Sequence, residues 1–297
     1  MSVGPAVAPL AASNPRIRRL RRLSGRRSAR SAEGAYLLEG PVLVAEALAA
    51  LVPLDGIYAE PSALDPDLVQ VAHAQSIPVH EVADGVLAGV TDTVTPRPIL
   101  AVAPLVRTPA ADVVDRAVAA HRPLLVLVDV RDPGNLGTLL RAAEASGVAG
   151  VLAAKGTVDP WSPKAVRSSA GAVLHVPVAD GDDVGALLAL LGDAGVRRLA
   201  TVVEAGRPSE DADLAGTVAL VLGGEAHGLP ADVVAACDDR ITIPMEGRAE
   251  SLNVAMAGAV LAFEALRQRR AAGPGPSDRP ASTDWTPGPS DDKVSGP

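Results

Sequence analysis

Apolar and polar residues alternate along the chain in short blocks that predict strands and helices in turn. The unbroken apolar run at 124–130 (LLVLVDV) is typical of a strand buried on both faces of a parallel sheet. A helix with a leucine-rich face is predicted at 135–146, where Gly147 provides a C-terminal stop. Further strands are predicted near 148–153, 173–177, 198–203, 218–222 and 240–243, and helices near 163–170, 183–194 and 231–236. This alternation predicts an α/β fold with helices on both faces of a parallel sheet.

A smaller α/β unit precedes this sheet. Strands are predicted near 36–39, 56–59, 78–81 and 98–103, with helices at 40–51 and 64–75 and a connector from Pro104 to about Ala111. The chain therefore divides into a small α/β domain at 33–106 and a second domain at 107–270. From 271 to 297 the sequence turns to Pro, Gly, Ser and Asp with few large apolar residues, which predicts a disordered tail.

The first 32 residues form a basic arm without acidic residues. Residues 1–15 are small and Pro-containing, and we expect them to be disordered. In the segment that follows, Ile17, Leu20 and Leu23 are spaced by three, which predicts a basic amphipathic helix interrupted at Gly25. A solvated arm and an RNA-contacting arm fit this pattern equally well. The candidate RNA contacts are Arg16, Arg18, Arg19, Arg21, Arg22, Arg26, Arg27 and Arg30.

Composition narrows the class of protein. Aromatic residues make up 2% of the 297-residue chain, so binding by base stacking is not expected. The single Cys237 excludes a disulfide framework and a cysteine-based zinc site, and no metal site is predicted. No apolar run reaches the ~18 residues of a membrane span. We expect a cytoplasmic protein without a membrane partner. An Arg-rich N-terminus also resembles a transit peptide, but the same preference for Arg over Lys persists along the whole chain.

Charge gives two opposing indications about the partner. The net charge of −8 argues against nucleic acid, whereas the arginine cluster in the arm argues for it. Local charge decides such binding.

No Gly-x-Gly-x-x-Gly follows the first strand of the second domain, and no Gly cluster has P-loop spacing with a Lys, so a standard dinucleotide or ATP site is not expected.

Three stretches carry candidate chemistry. The first is the tight turn at 132–137, where Asn135 serves either as a helix cap or as a ligand-binding residue. Arg141, six residues on, can pair with a neighbouring acid or grip a phosphate. The second is Gly223-Gly224-Glu225 at the end of an apolar strand, the edge where ligands gather in open α/β sheets. A plain turn has the same pattern, and Glu225 taken alone favours that interpretation.

The third stretch, 241–270, joins a short strand to a polar loop and then, at Ser251-Leu252-Asn253, to an Ala-rich helix. A loop that opens onto a helix N-terminus leaves backbone N–H groups facing outward. It can therefore hold an anionic or adenosine-type ligand.

Together the three stretches resemble a known family. DPGNLGTLLRAAEASG, LVLGGEAHGLP and IPMEGRAESLNVAMAGAVLAFEA are similar, in the same order, to the three signature motifs of the SpoU branch of the SPOUT methyltransferases. The resemblance covers about 124–270. The small N-terminal domain resembles the L30e-like substrate-binding domain, and the whole chain looks closest to ribosomal RNA ribose methyltransferases of the TrmH type.

The resemblance implies an S-adenosylmethionine-dependent enzyme that methylates a ribose 2′-hydroxyl of RNA. It also implies a deep trefoil knot in the C-terminal domain and an obligate homodimer with the active site at the subunit interface. The residues implied in cofactor binding are Leu222, Gly223, Gly224, Ile243, Met245, Leu252 and Asn253. Those implied in catalysis are Asn135, Arg141, Glu225, Ser251 and Asn253, with Arg141 also contacting RNA. Position 226 is Ala where many relatives have Gly, which weakens the match at that turn.

Other functions stay open at this point. Ribosomal RNA is favoured over transfer RNA as the substrate, and the 2′-hydroxyl excludes DNA. A catalytically silent RNA-binding or ribosome-assembly protein on the same fold is an alternative, against which the intact candidate residues weigh. An unrelated nucleotide-binding enzyme would need a phosphate loop that the sequence lacks.

Overall fold

The chain folds into two α/β units, described here by a computed structural model for residues 8–91 and 96–273. The strands of the first unit are β1 (Ala35–Glu39), β2 (Gly56–Ala59), β3 (Val79–Glu81) and β4 (Ile99–Pro104). Its helices are α1 (Pro15–Gly25), α2 (Arg27–Glu33), α3 (Pro41–Ala49) and α4 (Pro66–Ala74). The sheet order is β1-β4-β2-β3, with β4 antiparallel to both of its neighbours and β3 parallel to β2.

Helix α1 covers one face of this first sheet. Ile17, Leu20 and Leu23 are fully buried and belong to one cluster with Leu37 and Leu100 of the sheet. Full burial of such side chains stabilises a fold by about 1.5–3 kcal/mol each. The amphipathic helix ending at Gly25 is confirmed, but α1 packs as part of the first unit and not as a solvated arm.

Residues just before α1 are also ordered by backbone contacts. The Leu10 N–H donates to the Glu81 carbonyl at 2.9 Å, and the Leu10 carbonyl accepts from Ala83 at 3.1 Å. The prediction of disorder is therefore wrong for the segment around Leu10. The remaining disorder predictions concern residues 1–7 and 274–297, which lie outside the described residues.

The second unit contains a parallel sheet, as predicted. Its strands are β5 (Leu124–Val128), β6 (Gly150–Ala153), β7 (Val178–Asp180), β8 (Arg197–Thr201), β9 (Arg207–Pro208), β10 (Val218–Gly223) and β11 (Asp239–Thr242). Its helices are α5 (Ala110–Ala120), α6 (Pro133–Ser146), α7 (Pro163–Ser169), α8 (Val184–Asp193), α9 (Ala231–Ala235) and α10 (Val254–Ala271). The sheet order is β7-β6-β5-β10-β8-β11-β9, and every pairing is parallel.

Successive side chains along the central strands point to opposite faces. Leu125 and Leu127 pack in one cluster with residues of α6, α7 and α10, whereas Leu124 and Val126 pack with residues of α5 and α8. The first of these clusters continues into the first unit, where it includes Leu38 of β1. The two units therefore share one apolar core.

Three elements differ from the sequence predictions. Helix α5 and the two-residue strand β9 have no counterpart among the predicted elements. The strand predicted at 173–177 is wrong, because Ala172–Leu174 form a short 3₁₀ turn and the strand begins at Val178. A short apolar run does not distinguish a strand from a buried turn. The trefoil knot stays a prediction for the path of the chain around 243–253.

The crossing of α6 and α7 provides a stability test. A Cβ at Gly137 would lie 2.5 Å from the Ala165 carbonyl oxygen and 2.5 Å from the Ser168 Cβ. We expect Gly137→Ala to lower the free energy of unfolding by about 1–3 kcal/mol, because backbone must move to admit the methyl group. Denaturant titration of the full chain measures this change.

Gly25→Ala is the matched control, since nothing lies within 4 Å of a Cβ there and the residue ends helix α1. It should leave stability unchanged or raise it by up to about 1 kcal/mol. Equal effects of the two substitutions would contradict the close crossing of α6 and α7.

Candidate functional site

A cavity of about 380 Å³ lies at the carboxyl ends of β8, β10 and β11. Because parallel strands end at the same edge, the residues that follow them meet there. The opposite wall comes from the loop before α10 and from the first turns of that helix. The lining residues that the sequence predicted are Leu222, Gly223, Gly224, Glu225, Ile243, Met245, Ser251 and Leu252.

Sequence reasoning missed part of this wall. Thr201, Val202 and Val203 line the cavity from the end of β8, and Val254 and Leu261 line it from α10. The strand at 198–203 was predicted, but its place in the sheet was not. Only the order β10-β8-β11 brings the end of β8 between the two predicted stretches. His227, which follows the predicted Gly223-Gly224-Glu225 stretch, also lines the cavity.

A chain of side-chain hydrogen bonds joins the three predicted stretches at the rim. Asn135 donates from Nδ2 to Glu225 Oε1 at 2.7 Å, and Asn253 donates from Nδ2 to Asn135 Oδ1 at 3.0 Å. A carboxylate only accepts, so the Asn135 amide group must face Glu225, and its oxygen is left for Asn253. Asn253 Oδ1 then accepts from the N–H of Ala255 at 2.9 Å and caps α10. The cap alternative for Asn135 is wrong, because the N-cap of α6 is Asp132. The asparagine that does cap a helix is Asn253, at the start of α10.

Glu225 is the anionic end of this chain of hydrogen bonds. Partial burial raises the pKa of its carboxyl, but hydrogen bonds from Asn135 and from the backbone N–H groups of Glu225, Arg131 and Asp132 outweigh it, so the pKa lies below its ordinary value. The Arg131 and Asp132 contacts measure 3.3 and 3.4 Å. Glu225 is therefore charged at neutral pH and holds the loop after β5 against the loop after β10.

Two glycines, Gly223 at the end of β10 and Gly224 directly after it, permit a close approach between these loops. A Cβ on Gly224 would collide with the Asp129 carbonyl, and one on Gly223 would collide with the backbone of Gly228. Asp129 itself has a φ of 58°, in the left-handed region. Because Gly223 and Gly224 have no side chain, the backbone after β10 can lie directly against the backbone after β5. This contact brings Glu225 within reach of Asn135.

The loop at 245–252 leaves its backbone donors available. Within the described part of the chain, none of its N–H groups donates a hydrogen bond to another residue. The loop passes along the cavity, which Met245, Ser251 and Leu252 line. Outward-facing donors beside apolar side chains suit a ligand with both a polar and a flat apolar part.

Arg141 lies apart from the cavity of its own chain. It is exposed on α6, and its guanidinium makes no hydrogen bond or ion pair with any residue that the structure describes. The neighbouring helix α10 exposes an apolar stripe, in which Met256, Val260 and Phe263 are 59%, 45% and 47% exposed. These residues are spaced by four and three, so they share one face of the helix.

The arginines proposed for RNA binding separate into two groups. Arg19 pairs with Glu33 and Asp55, Arg22 pairs with Glu33, and Arg21 donates to backbone carbonyls. Arg27 and Arg30 pair with Asp180 and Asp159 of the second unit. Arg30 is 4% exposed, so the prediction that it contacts RNA is wrong. The exposed side chains of Arg16, Arg18 and Arg26 have no hydrogen-bonding or ionic partner among the described residues.

Among the described residues, no group of three or more His, Cys, Asp or Glu side chains is placed to hold a metal ion. No described helix is both long and apolar enough to cross a membrane.

Comparisons with known proteins agree with the motifs. The profile of the SpoU rRNA Methylase family matches residues 122–263, and that of the MRM3-like substrate binding domain matches residues 14–101. The second match includes α1 and α2, in keeping with their packing on the first sheet. It stands where the sequence analysis expected an L30e-like substrate-binding domain.

Individual relatives align over most of the chain. An uncharacterized tRNA/rRNA methyltransferase of Synechocystis sp. is 36% identical over 262 residues, which is 87% of this chain and 93% of the relative. The 23S rRNA (guanosine(2553)-2'-O)-methyltransferase RlmP of Bacillus subtilis is 30% identical, covering 85% of this chain and 96% of the relative.

A solved structure extends the agreement to the fold. The crystal structure of an AdoMet-bound rRNA methyltransferase from Sinorhizobium meliloti superposes with a TM-score of 0.76 at 28% identity, covering 86% of this chain and 95% of that one. Sequence motifs, family profile and fold agree along both units, and this chain therefore belongs to the SpoU rRNA methylase family.

Proposed function

We propose that this enzyme methylates the 2′-hydroxyl of a ribose in ribosomal RNA, with S-adenosylmethionine as the methyl donor. The observation that carries the proposal is the link from Asn135 to Glu225 and Asn253, which joins the three signature stretches at one cavity. RlmP, to which the chain is 30% identical, is named for 2′-O-methylation of 23S ribosomal RNA. We place the enzyme in the cytoplasm, where bacteria such as the source of RlmP make and assemble their ribosomal RNA.

The cavity has the groups that S-adenosylmethionine requires. Leu222, Ile243 and Leu252 supply apolar surface for the adenine, and the unpaired N–H groups of 245–252 supply donors for its polar parts. Its volume of about 380 Å³ lies within the usual range for small-molecule sites. When bound, the cofactor supplies an activated sulfonium methyl group.

The chain's own residues then need to align the hydroxyl and ease its proton loss. A ribose 2′-hydroxyl is a weak acid, so orientation and stabilisation of developing negative charge are the main contributions. We assign these to Arg141, which binds the phosphate beside the target ribose and stabilises the oxyanion. An arginine guanidinium stays protonated at neutral pH and is a poor base. Ser251 places a hydroxyl at the cavity wall beside this position.

Arg141 reaches the cavity from a second copy of the chain. In its own subunit it lies on an exposed face of α6, outside the set of cavity-lining residues. A homodimer that covers Met256, Val260 and Phe263 of α10 removes a large apolar stripe from water. Asn135 and Asn253, at the rim beside this stripe, then lie at the subunit interface.

The first unit supplies affinity for the RNA backbone. Arg16, Arg18 and Arg26 present guanidinium groups that have no ionic partner among the described residues, so phosphate contacts do not compete with a pair seen there. Such contacts release counterions and make binding dependent on salt. They carry no sequence information by themselves.

Replacement of Arg141 tests its assignment. We expect Arg141→Ala to bind S-adenosylmethionine as the wild type does, because the residue does not line the cavity of its own chain, while turnover on ribosomal RNA falls about 100-fold or more. Calorimetry measures cofactor binding, and transfer of a labelled methyl group measures turnover. Arg116→Ala, which removes an exposed arginine from α5, is the control and should retain full activity.

Subunit mixing tests where Arg141 acts. Arg141→Ala and Asn253→Ala chains are each expected to be inactive, but a mixed dimer contains one site with both residues intact. Activity should therefore return on mixing after dissociation and reassociation. Lack of any recovery in confirmed heterodimers would contradict action across the interface.

Glu225 gives a prediction for pH dependence. Its folded pKa lies below the value of about 4.3 expected in the unfolded chain. The stability that its carboxylate contributes is therefore fully present above pH 4.3 and is lost as pH falls through the lower folded pKa. The difference in free energy of unfolding between wild type and Glu225→Gln should be constant from pH 6 to 8 and shrink below about pH 4. A difference that does not shrink as pH falls below 4, or an equal effect of the exposed-site control Glu210→Gln, would contradict it.

Salt dependence tests the RNA contacts of the first unit. The double variant Arg18→Ala/Arg26→Ala should bind ribosomal RNA more weakly, and its plot of log affinity against log salt should be shallower by about 1 for each lost phosphate contact. Cofactor affinity should not change. An unaltered salt slope would mean that these arginines are only solvated.

A further inference from the structure

Buried ion pairs cross the boundary between the two units. Arg30 of α2 pairs with Asp159, which follows β6, and Glu39 at the end of β1 pairs with Arg167 of α7. Arg27 of α2 also pairs with Asp180 of β7. The Arg30–Asp159 and Glu39–Arg167 pairs are called here the interdomain pairs.

Arg30 has every guanidinium nitrogen engaged. Its Nε and Nη2 donate to Asp159 Oδ2 at 2.9 and 2.6 Å, and its Nη1 donates to the carbonyls of Leu23 and Ser24 at 2.6 and 3.1 Å. The second carboxylate oxygen of Asp159 accepts the Trp161 N–H at 3.0 Å. Three segments, the end of α1, helix α2 and the loop before α7, are therefore held in one arrangement.

The carboxylate of the second interdomain pair, that of Glu39, is also deeply buried. The Glu39 side chain is 2% exposed and accepts from Arg167 Nη1 and from Thr91 Oγ1. Arg167 projects from α7, the helix that the Asp159 loop leads into. Both pairs thus act on the same helix, one at its entry and one along its length.

Helix α7 continues the connection to the candidate active site. It crosses α6 at Gly137, with no room for an additional methyl group, and its Lys164 pairs with Asp132 at 3.0 Å. Asp132 caps α6 and precedes Asn135. The helix that carries Asn135 and Arg141 is therefore packed against the helix that the first unit holds through two ion pairs.

Buried ion pairs contribute more to geometry than to net stability. The desolvation of two charges offsets most of their attraction, so an apolar pair would hold the units together as well. Directional hydrogen bonds, in contrast, admit one arrangement. The apolar contacts of the core that the units share are, by comparison, non-directional.

We propose that the interdomain pairs set a fixed angle between the first unit and the catalytic unit, and that this angle selects which ribose of a bound RNA reaches the cavity. The inference rests on the proposed function. An RNA that contacts the first unit spans a set distance to the cavity, so a change of angle presents a different nucleotide. Arg30 and Arg167 are positioning residues in this scheme and do not touch the RNA.

The test uses full-length Asp159→Asn and Arg167→Gln chains. Asn keeps the acceptor for the Trp161 N–H and removes the charge that orients Arg30. Arg197→Met is the matched control, because it removes an exposed pair with Asp213 inside the catalytic unit. The readouts are cofactor affinity, kinetics on ribosomal RNA from cells that lack the gene, and the positions of 2′-O-methylation mapped by resistance to alkaline hydrolysis.

We expect cofactor affinity to stay within about twofold, since the cavity is intact, and kcat/KM for ribosomal RNA to fall about tenfold or more because the ribose is misplaced. Methylation should spread from the wild-type position to neighbouring riboses. The salt slope of RNA binding should not change, in contrast to loss of Arg18 and Arg26. If both variants methylate only the wild-type position with wild-type kinetics, the inference is overturned. This holds even if the variants are less stable than the wild type.

Unfolding of a single variant would not end the test. The double variant Arg30→Met/Asp159→Leu removes both charges together and avoids an unpaired buried charge. It loses the directional bonds and should show the same spread of methylation, and a single wild-type position in this variant would overturn the inference.

A distance measurement separates this inference from the proposed function. Nitroxide labels at Val42→Cys and Asp193→Cys, in a Cys237→Ala background diluted with unlabelled chain, report the distance between the units. We expect a broader distribution in Asp159→Asn than in Arg197→Met. If the wild type methylates no ribosomal RNA, the proposed function fails, but the width of the distance distribution still tests the fixed angle. Equal widths in the two variants would overturn the fixed angle.

Discussion

The contact between the backbones of Asp129 and Gly224 is the constraint on which the site depends. Asp129 directly follows β5 and Gly224 directly follows the neighbouring parallel strand β10, and the two backbones touch so closely that a single methyl group on Gly224 would separate them. The contact positions the loop after β5 next to Glu225. Two asparagines then complete a chain of hydrogen bonds with one polarity, from the cap of α10 through Asn135 to the carboxylate. The carboxylate of Glu225 therefore anchors both the rim of the cavity and, through the two asparagines, the start of α10.

The same molecule uses arginine for three different purposes, and burial separates them. Arg30 is enclosed and satisfied on every nitrogen, so it determines how two units meet. Arg18 and Arg26 are exposed and unpaired among the described residues, so they are suited to phosphate. Arg141 is exposed beside an apolar stripe, so it is suited to a site completed by a second copy of the chain. One residue type in one charge state acquires its role from what surrounds it.

Much of the fold could be predicted from periodicity. The apolar run at 124–128 and the leucine face of α6 specify a buried parallel strand and the helix that covers it, because their pattern reflects burial directly. Helix α5 and the 3₁₀ turn at Ala172–Leu174 were not predicted correctly. Their short or small-residue patterns suit more than one backbone conformation, and packing against the sheet decides between them.

For the site, the residue types, the three motifs and the family could be recognised from the sequence alone, because the candidate catalytic and cofactor-binding groups follow strand ends at recognisable spacing. The fold was needed to show that the end of β8 forms part of the cavity wall, since local periodicity does not specify strand order. The fold also places Arg27 and Arg30 against the second unit and Arg18 and Arg26 in water. A run of arginines carries the same charge in any context, and only the fold determines which of them meets a buried carboxylate.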